Sequence, residues 1–350
     1  MAETTYLDHA ATTPMTAAAR AAVADAMADW ANPSSPHAAG RAARAALEAA
    51  RGRFADVHAW RGEVLFTSGA SESLSIGVAR TMRARRIVSA VEHDAALRAA
   101  GKAETLPVDT LGRVDPAAIG DVGDALVAVQ WCNSETGVIQ PIAEIATAVR
   151  AGGGTLLVDA AQMPASAALA EHADLVALSA HKRGGPPGVG ALLVRDLAVL
   201  RPSGGQERGY RAGTENVPGV LGYLAAIAEP EPDHAGLRAY LDDAIRRSGG
   251  EVVADGAQRH PAIGSYRMPG VAAAAQLIRF DLDRIAVSAG SACASGSLKP
   301  SHVLRAMGWS EERTREVVRV SFGRTTTQAE VERFVAAWRG VAKAARRIAA

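Results

Sequence analysis

The sequence predicts an α/β fold in three layers, a mostly parallel sheet with helices on both faces, together with a second, smaller α+β domain. Short runs of Val, Leu, Ile and Ala without polar alternation recur along the chain, which is typical of strands buried on both faces of a sheet. Helical patterns lie between several of these runs, and the alternation of strand and helix indicates a doubly wound domain. After residue 230 the stretch EPEPDHAG, rich in proline and charge, breaks the pattern and predicts a domain boundary.

The predicted elements follow in chain order. Buried strands are expected within residues 62–71, 85–93, 125–137, 155–162, 173–182 and 188–195. Helices are expected over residues 71–83, 141–151 and 236–248, and a long alanine-rich amphipathic helix from about residue 327. The second of these helices opens with proline, which favours the first turn of a helix. The predicted large domain spans residues 12–234, and the small domain comprises residues 1–11 and 235–350.

Composition and charge argue against several classes of protein: nucleic-acid-binding, membrane-spanning and disulfide-rich secreted proteins. The 350 residues include 38 basic and 37 acidic side chains, so the net charge of +1 gives no electrostatic reason to expect direct binding of nucleic acid. No apolar run approaches the roughly 20 residues that a membrane-spanning helix needs. The N-terminus lacks the basic and apolar segments of a signal peptide, and two distant cysteines do not make a disulfide framework. We therefore expect a cytoplasmic protein with reduced thiols, no membrane contact and no metal site.

Polar clusters follow five of the predicted strands. These clusters are TSGASE, EH, NSETG, DAAQ and SAHK. Ligands of doubly wound sheets bind beyond the carboxyl ends of the strands. The five clusters therefore predict a single polar site at one edge of the sheet.

Lys182 and Asp159 suit one particular chemistry. A partly desolvated lysine at the end of a buried strand has a lowered pKa and can form a Schiff base, whereas the alternative is a surface lysine that starts a loop. Asp159 ends the preceding strand, where a carboxylate can hold a metal, support a histidine or pair with a protonated pyridine nitrogen. Pyridoxal phosphate needs such a lysine and such an acid. The stretch SGAS, with Ala70 and Ser71, offers N–H groups and a hydroxyl to a phosphate, or is an ordinary helix cap.

Three further residues are candidates for chemistry. His93 ends a predicted strand and either lies over a cofactor ring and moves protons, or is structural. Arg319 is a candidate for bidentate capture of a carboxylate. Cys293 lies in SAGSACASGS, whose glycines and serines suit a nucleophile that must travel on a mobile loop, unless its place there is accidental. Cys132, beside Trp131 in a predicted buried strand, is interpreted as an inert core residue.

Ten stretches together resemble the cysteine desulfurases, in the class V aminotransferase group of fold-type I pyridoxal-phosphate enzymes. They occur in family order from residue 6 to residue 327, nearly the whole chain. The stretches are YLDHAATTP, NPSSPHAAGR, FTSGASES, EH, NSETGVIQPI, DAAQ, SAHKRGGPPGVGALLVR, GGQERGYRAGTENV, SAGSACASGSLKPSHVLRAMG and RVSFGRTTT.

The resemblance implies a role for each candidate. Lys182 would hold pyridoxal 5′-phosphate covalently, while Asp159 pairs with its ring nitrogen and Gln162 contacts its phenolic oxygen. His93 would stack on the ring and move protons. Contacts to the phosphate would come from Ala70, Ser71, Ser179 and His181, and from Thr214 across a dimer interface. Arg319 would bind the substrate carboxylate.

The NSETG motif departs from the family. Two asparagines usually precede the glutamate, and the second contacts the ring oxygen. Here the pair is Asn133 and Ser134, so Ser134 takes that contact position with a shorter side chain. Asn133 is assigned to both cofactor and substrate binding.

The implied activity is the conversion of L-cysteine to L-alanine by a homodimer. Cys293 would attack the sulfur of the bound amino acid, become a persulfide and pass the sulfur to an acceptor protein, for iron–sulfur assembly, tRNA thiolation or another pathway. The alternatives are a selenocysteine lyase, a carbon–sulfur lyase or an aminotransferase of the same class, and a catalytically silent scaffold for sulfur transfer.

Overall fold

The computed structural model describes residues 4–289 and 300–349, so the predicted nucleophile Cys293 lies outside the described residues. The strands of the described chain are β1 (Thr5–Tyr6), β2 (Glu63–Thr67), β3 (Arg85–Ser89), β4 (Glu104–Leu106), β5 (Ala125–Gln130), β6 (Thr155–Asp159), β7 (Leu175–Ser179), β8 (Gly190–Val194), β9 (Glu251–Val252), β10 (Ile263–Arg267), β11 (Ile285–Ala286), β12 (Ser288–Ala289) and β13 (Val317–Ser321). The helices of the same ranges are α1 (Ala17–Ala28), α2 (Ala38–Val57), α3 (Ala70–Leu74), α4 (Asp94–Ala100), α5 (Ile142–Ala151), α6 (Val217–Ile227), α7 (Ala235–Arg247), α8 (Ala273–Leu282), α9 (His302–Ala306), α10 (Glu311–Thr314) and α11 (Gln328–Ala349).

A seven-stranded sheet in the order β2-β8-β7-β6-β5-β3-β4 forms the centre of the large domain. β8 runs antiparallel to both of its neighbours, and the other pairings in this sheet are parallel. Every residue of β5, β6, β7 and β8 is buried, because helices cover both faces. Phe54, Ile145 and Leu224 pack against one face, and Leu74 and Ala96 against the other. The predicted mostly parallel, three-layer α/β class is confirmed.

Two elements near the site differ from the sequence-based expectation. The expected helix over residues 71–83 is a short α3 followed by a π-helical turn over Ser75–Ala79. Gly77 lies in that turn, where a Cβ atom would approach Leu157 Cδ1 to 2.4 Å, so the turn packs directly on the sheet. The edge strand β4 was not expected, since it has three residues and two of them are exposed.

A second sheet, in the order β12-β13-β10-β9, is antiparallel throughout. It packs against α7, α8 and α11 around an aromatic core in which the rings of Phe280 and Phe334 lie 5.1 Å apart and Trp338 and Tyr266 are fully buried. The domain limits at residues 12–234 stay a prediction. No helix among residues 4–289 and 300–349 is both long and apolar enough to cross a membrane.

The N-terminal segment connects the two sheets. Thr5 and Tyr6 pair in parallel with β11, and the Ala10 N–H donates to Ser321 Oγ on β13 at 2.8 Å. Three residues further on, the Thr13 N–H donates to the His181 carbonyl beyond β7 at 2.8 Å. The segment therefore lies across the carboxyl edge of the large sheet, where the polar clusters meet.

Candidate active site

A cavity of about 890 Å³ opens at the carboxyl ends of β3, β5, β6 and β7. This is the edge where the strand-end clusters predict a site. The predicted site residues that line the cavity are Ala70, Ser71, His93, Asn133, Ser134, Asp159, Gln162, Ser179, His181, Lys182 and Arg319. The edge of the large sheet and β13 of the second sheet thus bring together residues that lie more than 200 positions apart in the chain.

Lys182 lies in a tight turn just beyond β7. The N–H groups of Arg183 and Gly185 both donate to the Ala180 carbonyl, at 2.8 and 3.0 Å, and hold the turn. Burial lowers the pKa of the Lys182 amine to about 8, although the nearby Asp159 carboxylate favours the charged form. Close to neutral pH the amine therefore loses its proton far more readily than an exposed lysine, as an imine-forming amine requires.

Asp159 and Gln162 leave oxygen atoms available on the cavity wall. Asp159 is 7% exposed, and its Oδ1 accepts from the Ala161 N–H at 2.9 Å. Gln162 Nε2 donates to the Ala10 carbonyl at 3.0 Å, while its buried Oε1 has no partner in the described part of the chain. Ser179 Oγ is likewise buried and unpartnered there. Buried polar atoms are rarely left without partners, so these atoms indicate a polar ligand.

The start of α3 can receive a phosphate. Its N-terminus has no side-chain cap, and Gly69 has open space where a Cβ atom would lie. The N–H groups of Ala70 and Ser71 are therefore available to an anion, beside the Ser71 hydroxyl. With the amine of Lys182 and the carboxylate of Asp159, the donor set fits pyridoxal phosphate.

The orientation of His93 limits its role. Its Nδ1 accepts from the Ala95 N–H at 3.1 Å and so caps α4. Burial lowers the pKa of the imidazole, which the Asp159 carboxylate raises and the Lys182 ammonium lowers further. The neutral ring therefore carries its proton on Nε2, and it can accept a second proton only by giving up the bond to Ala95.

Arg319 faces the cavity from the second sheet. Its Nη2 donates to Asp8 Oδ1 at 2.7 Å and its Nη1 to the Ser134 carbonyl at 3.0 Å. The buried Nε has no partner among the described residues. Asp8 and the Ser134 backbone therefore orient a guanidinium that retains donor capacity for a carboxylate.

Asn133 is largely committed to its own turn. Its Oδ1 accepts from the N–H groups of Glu135 and Thr136, at 2.9 and 2.8 Å, and Nδ2 donates to the Val91 carbonyl at 3.1 Å. One N–H of the amide remains for a ligand. The side chain thus shapes the turn that presents Ser134, whatever it contributes to binding.

Several residues of the cavity wall were not expected from the sequence. Burial raises the pKa of Glu92 to about 8, and its Oε2 is unpartnered among the described residues. Glu92 belongs to the strand-end stretch EH, so its position in the sequence was a signal for the site. Behind the wall, Asp8 orients Arg319 from 311 positions away in the chain, and no spacing rule could have paired them. Glu135 and His302 also line the cavity, each next to a predicted motif residue or segment.

Two predicted residues do not line this cavity in the described chain. Thr214 is exposed, as a residue that contributes across a dimer interface would be in a single chain. Cys293 lies outside the described residues, but Ser288 pairs with Arg319 on one side of its segment and Pro300 lines the cavity on the other. The second thiol, Cys132, is 3% exposed, and burial raises its pKa to about 12, so it stays protonated.

Known proteins match the chain over nearly its full length. The family model described as aminotransferase class-V matches residues 5–334. The putative cysteine desulfurase IscS 1 of Bacillus subtilis is 34% identical over 94% of this chain and 96% of the relative. The IscS-like cysteine desulfurase of Mycobacterium tuberculosis is 35% identical, and the match covers 98% of each chain. The solved structure of a NifS-like protein from Rickettsia africae has a TM-score of 0.86 at 27% identity, covering 97% of this chain and 99% of that one.

Proposed function

The chain belongs to the aminotransferase class-V family and is a pyridoxal-phosphate-dependent cysteine desulfurase, and from this premise we propose how its residues divide the work. Its substrate is L-cysteine. The observation that carries the proposal is the meeting of Lys182, Asp159 and Arg319 in one cavity. They supply an amine for the cofactor, a carboxylate for its ring nitrogen and a guanidinium for the substrate.

Lys182 holds the cofactor, and the surrounding groups orient it. Pyridoxal 5′-phosphate supplies an electron sink that stabilises negative charge on the carbon atoms of the bound amino acid. Asp159 keeps the ring nitrogen protonated, which its buried position favours because the paired charges are shielded from water. Ser179 Oγ, which has no partner among the described residues, would donate to the cofactor phosphate, and the Gln162 side chain would face the phenolic oxygen. His93 would lie against the ring, and His181, Ala70 and Ser71 would complete the phosphate site.

Arg319 binds the carboxylate of L-cysteine. The free Nε lies beside two nitrogens already held by Asp8 and the Ser134 carbonyl. A guanidinium held on two sides loses little conformational entropy on binding, which favours recognition of a small substrate. Asn133 and Ser134 lie on the same wall and contact the cofactor and the substrate.

Cys293 carries the sulfur. Its thiolate attacks the substrate sulfur, so the S–S bond forms as the bond from sulfur to the β-carbon breaks, leaving a persulfide and, after protonation, alanine. In the sequence Cys293 follows Ser288, the strand residue that pairs with Arg319, by five residues.

The functional unit that we propose is a cytoplasmic homodimer that passes sulfur to an acceptor protein. Exposed Thr214 supports the dimer, because its predicted phosphate contact needs a second subunit. A reactive thiol supports a reducing compartment. The acceptor must carry a group that can take the outer sulfur atom of the persulfide, and this is the one property that the reaction requires of it.

Replacing Cys293 tests the proposal. Cys293→Ala should retain the yellow colour of the bound cofactor but release no alanine from L-cysteine, because the sulfur has no acceptor thiol. Cys132→Ala is the matched control, and we expect it to keep most of the activity since that thiol is buried and protonated. Full desulfuration by Cys293→Ala would exclude the persulfide step on that residue.

A further inference from the structure

Glu231 lies in the stretch EPEPDHAG, which connects α6, packed on the large sheet, to α7, packed on the second sheet. Prolines flank it on both sides, and proline restricts both its own φ and the residue before it, so the backbone here has few conformations. The Glu231 side chain contacts two guanidinium groups, one from each part of the fold. The connection between the two sheets therefore contains a carboxylate with two cationic partners.

The first partner is Arg183, the residue that follows Lys182. Its Nη1 donates to both carboxylate oxygens of Glu231, at 2.9 and 3.1 Å. Its main-chain N–H donates to the Ala180 carbonyl and closes the turn that carries Lys182. The ion pair therefore attaches this turn to the connecting stretch.

The second partner is Arg324, which follows β13, the strand that contains Arg319. Its Nη1 donates to the Arg183 carbonyl at 2.8 Å. Its Nη2 donates to two main-chain carbonyls at the end of α6 and contacts Glu231 Oε1 at 3.4 Å. One guanidinium thus binds the turn beside Lys182, the end of α6 and the connecting stretch, because its planar fork offers several donors at once.

Arg324 is packed tightly against that turn. Gly184 has a φ of 80°, and a Cβ atom at this position would lie 3.1 Å from Arg324 Nη1 and 2.7 Å from Thr16 Cγ2. The Gly184 carbonyl accepts from the Thr16 N–H at 2.9 Å. The turn is therefore enclosed between the N-terminal segment and Arg324, and a shift of the guanidinium would displace it.

These contacts join two functional side chains that belong to different sheets. Lys182 lies on the turn that Arg324 holds, and Arg319 lies five residues before Arg324 in the chain. We propose that Glu231 is a positioning residue, which keeps Arg183 and Arg324 together and so fixes the distance between the cofactor-binding amine and the guanidinium that binds the substrate carboxylate. This inference rests on the proposed function.

Electrostatics gives a reason for a carboxylate at this place. The Arg183 and Arg324 side chains are only 12% and 16% exposed, so water screens the repulsion between their charges poorly. Glu231 offsets this repulsion, and among the described residues no other carboxylate is paired with either guanidinium. Without the Glu231 charge the two groups would separate, and each substrate that binds would have to restore the distance. Such a cost raises KM and leaves kcat unchanged.

Two reagents that react with the bound cofactor test the distance. Aminooxyacetate carries a carboxylate for Arg319, whereas O-methylhydroxylamine has the same reactive group and no carboxylate. In the holoenzyme variant Glu231→Gln, aminooxyacetate should react about tenfold more slowly than in wild type, and O-methylhydroxylamine at the wild-type rate, as followed by the absorbance of the cofactor. The KM for L-cysteine should rise about tenfold, with kcat within about twofold of wild type.

Glu229→Gln is the matched control. It removes a negative charge from the same stretch, but the contact that Glu229 makes to Arg324 is through its main-chain carbonyl, so every rate should equal that of wild type. Arg324→Lys is a second variant, because lysine keeps the positive charge and loses the fork that holds several carbonyls together. It should show the same difference between the two reagents, and its result decides the matter if Glu231→Gln does not fold.

Three results would overturn the inference. Equal slowing of both reagents would assign Glu231 a role in stability only. Unchanged rates with both reagents would show that the ion pairs do not affect the site. A lower kcat with an unchanged KM would mean that Glu231 acts on a step after substrate binding. Failure of the proposed function is separate, since it would appear as full desulfuration by Cys293→Ala, and the reaction of the two reagents with the cofactor needs no thiol.

Discussion

The carboxyl group of Glu92 is fully buried beside a second buried acid, Asp159. Burial, with the Asp159 charge as a further cause, raises its pKa from 4.5 to about 8. At neutral pH it therefore holds a proton. The residue type alone would have predicted a second anion.

This pKa predicts how Glu92→Gln changes stability. Between about pH 4.5 and 8 the folded chain keeps a proton that the unfolded chain has lost, so wild-type stability falls as pH rises through this range. An amide cannot ionise, so the variant avoids this loss. The free energy of unfolding of the variant should exceed that of wild type by a few kcal/mol at pH 8, and the gain should shrink towards pH 5.

Urea denaturation at the two pH values measures this difference. Glutamine Oε1 can still accept from the Gln130 N–H, so the fold has no reason to change. A difference between the proteins that is the same at both pH values would contradict protonation of Glu92 in the folded state.

At the scale of the elements, the turn Glu207–Gly209 is held by a buried ion pair. Glu207 is 3% exposed, and its carboxylate accepts from Arg51 of α2 at 2.7 Å and from the Phe66 N–H of β2 at 2.9 Å. Glu207 and Arg208 both have positive φ, at 45° and 57°, which is unfavourable for residues other than glycine. The ion pair therefore stabilises a turn whose backbone is strained.

Glu207→Ala should destabilise the protein by about 3 kcal/mol, because it removes the buried partner of the Arg51 guanidinium and leaves only the more exposed Glu48 carboxylate as its counter-charge. The double variant with Arg51→Leu should recover part of this loss, since it also removes the buried charge that has lost its buried partner. Chemical denaturation of the two single variants and the double variant provides the cycle. If the change in unfolding free energy of the double variant equalled the sum of the two single changes, the result would contradict direct coupling of Arg51 and Glu207. Glu104→Gln, in an exposed pair with Arg85, is the control and should leave stability unchanged.

The elements were predictable to different degrees. Buried strands such as β5 and β6 are apolar throughout, so their pattern is explicit in the sequence. The short strands β11 and β12 have two residues each and depend on β1 and β13 as partners. Because such strands are stabilised by pairing with distant residues, local patterns cannot predict them.

At the scale of the whole molecule, the site needs parts from distant places. The N-terminal segment supplies Asp8 to orient Arg319 and the Ala10 carbonyl to hold Gln162. The second sheet supplies Arg319 itself, and the proposed dimer partner supplies Thr214. The site is therefore complete only when the two sheets and, as we propose, two subunits are assembled.

Mixing two defective subunits tests the contribution of Thr214. Lys182→Ala has no cofactor-binding amine, and Thr214→Ala should bind the cofactor about tenfold more weakly, as expected for loss of one hydrogen bond to a charged group. In a mixed dimer, the site with an intact Lys182 receives Thr214 from the other subunit. At limiting cofactor, mixed dimers should regain activity that neither variant alone shows. No recovery in verified mixed dimers would mean that Thr214 does not act across an interface.

The sequence by itself determined the α/β class, the positions of the buried strands along the chain and the residue types for pyridoxal-phosphate chemistry. Strand patterns and strand-end motifs are local, so they can be recognised without the fold. Only the tertiary structure decided which atoms of those residues remain available. In the folded chain His93 Nδ1 accepts from the Ala95 N–H, and His302 Nε2 contacts the Glu92 carbonyl. Asp8 pairs with Arg319, and burial keeps the Glu92 carboxyl protonated. Tautomers, pKa values and free hydrogen-bonding positions depend on neighbours distant in sequence, and the folded chain alone brings them together.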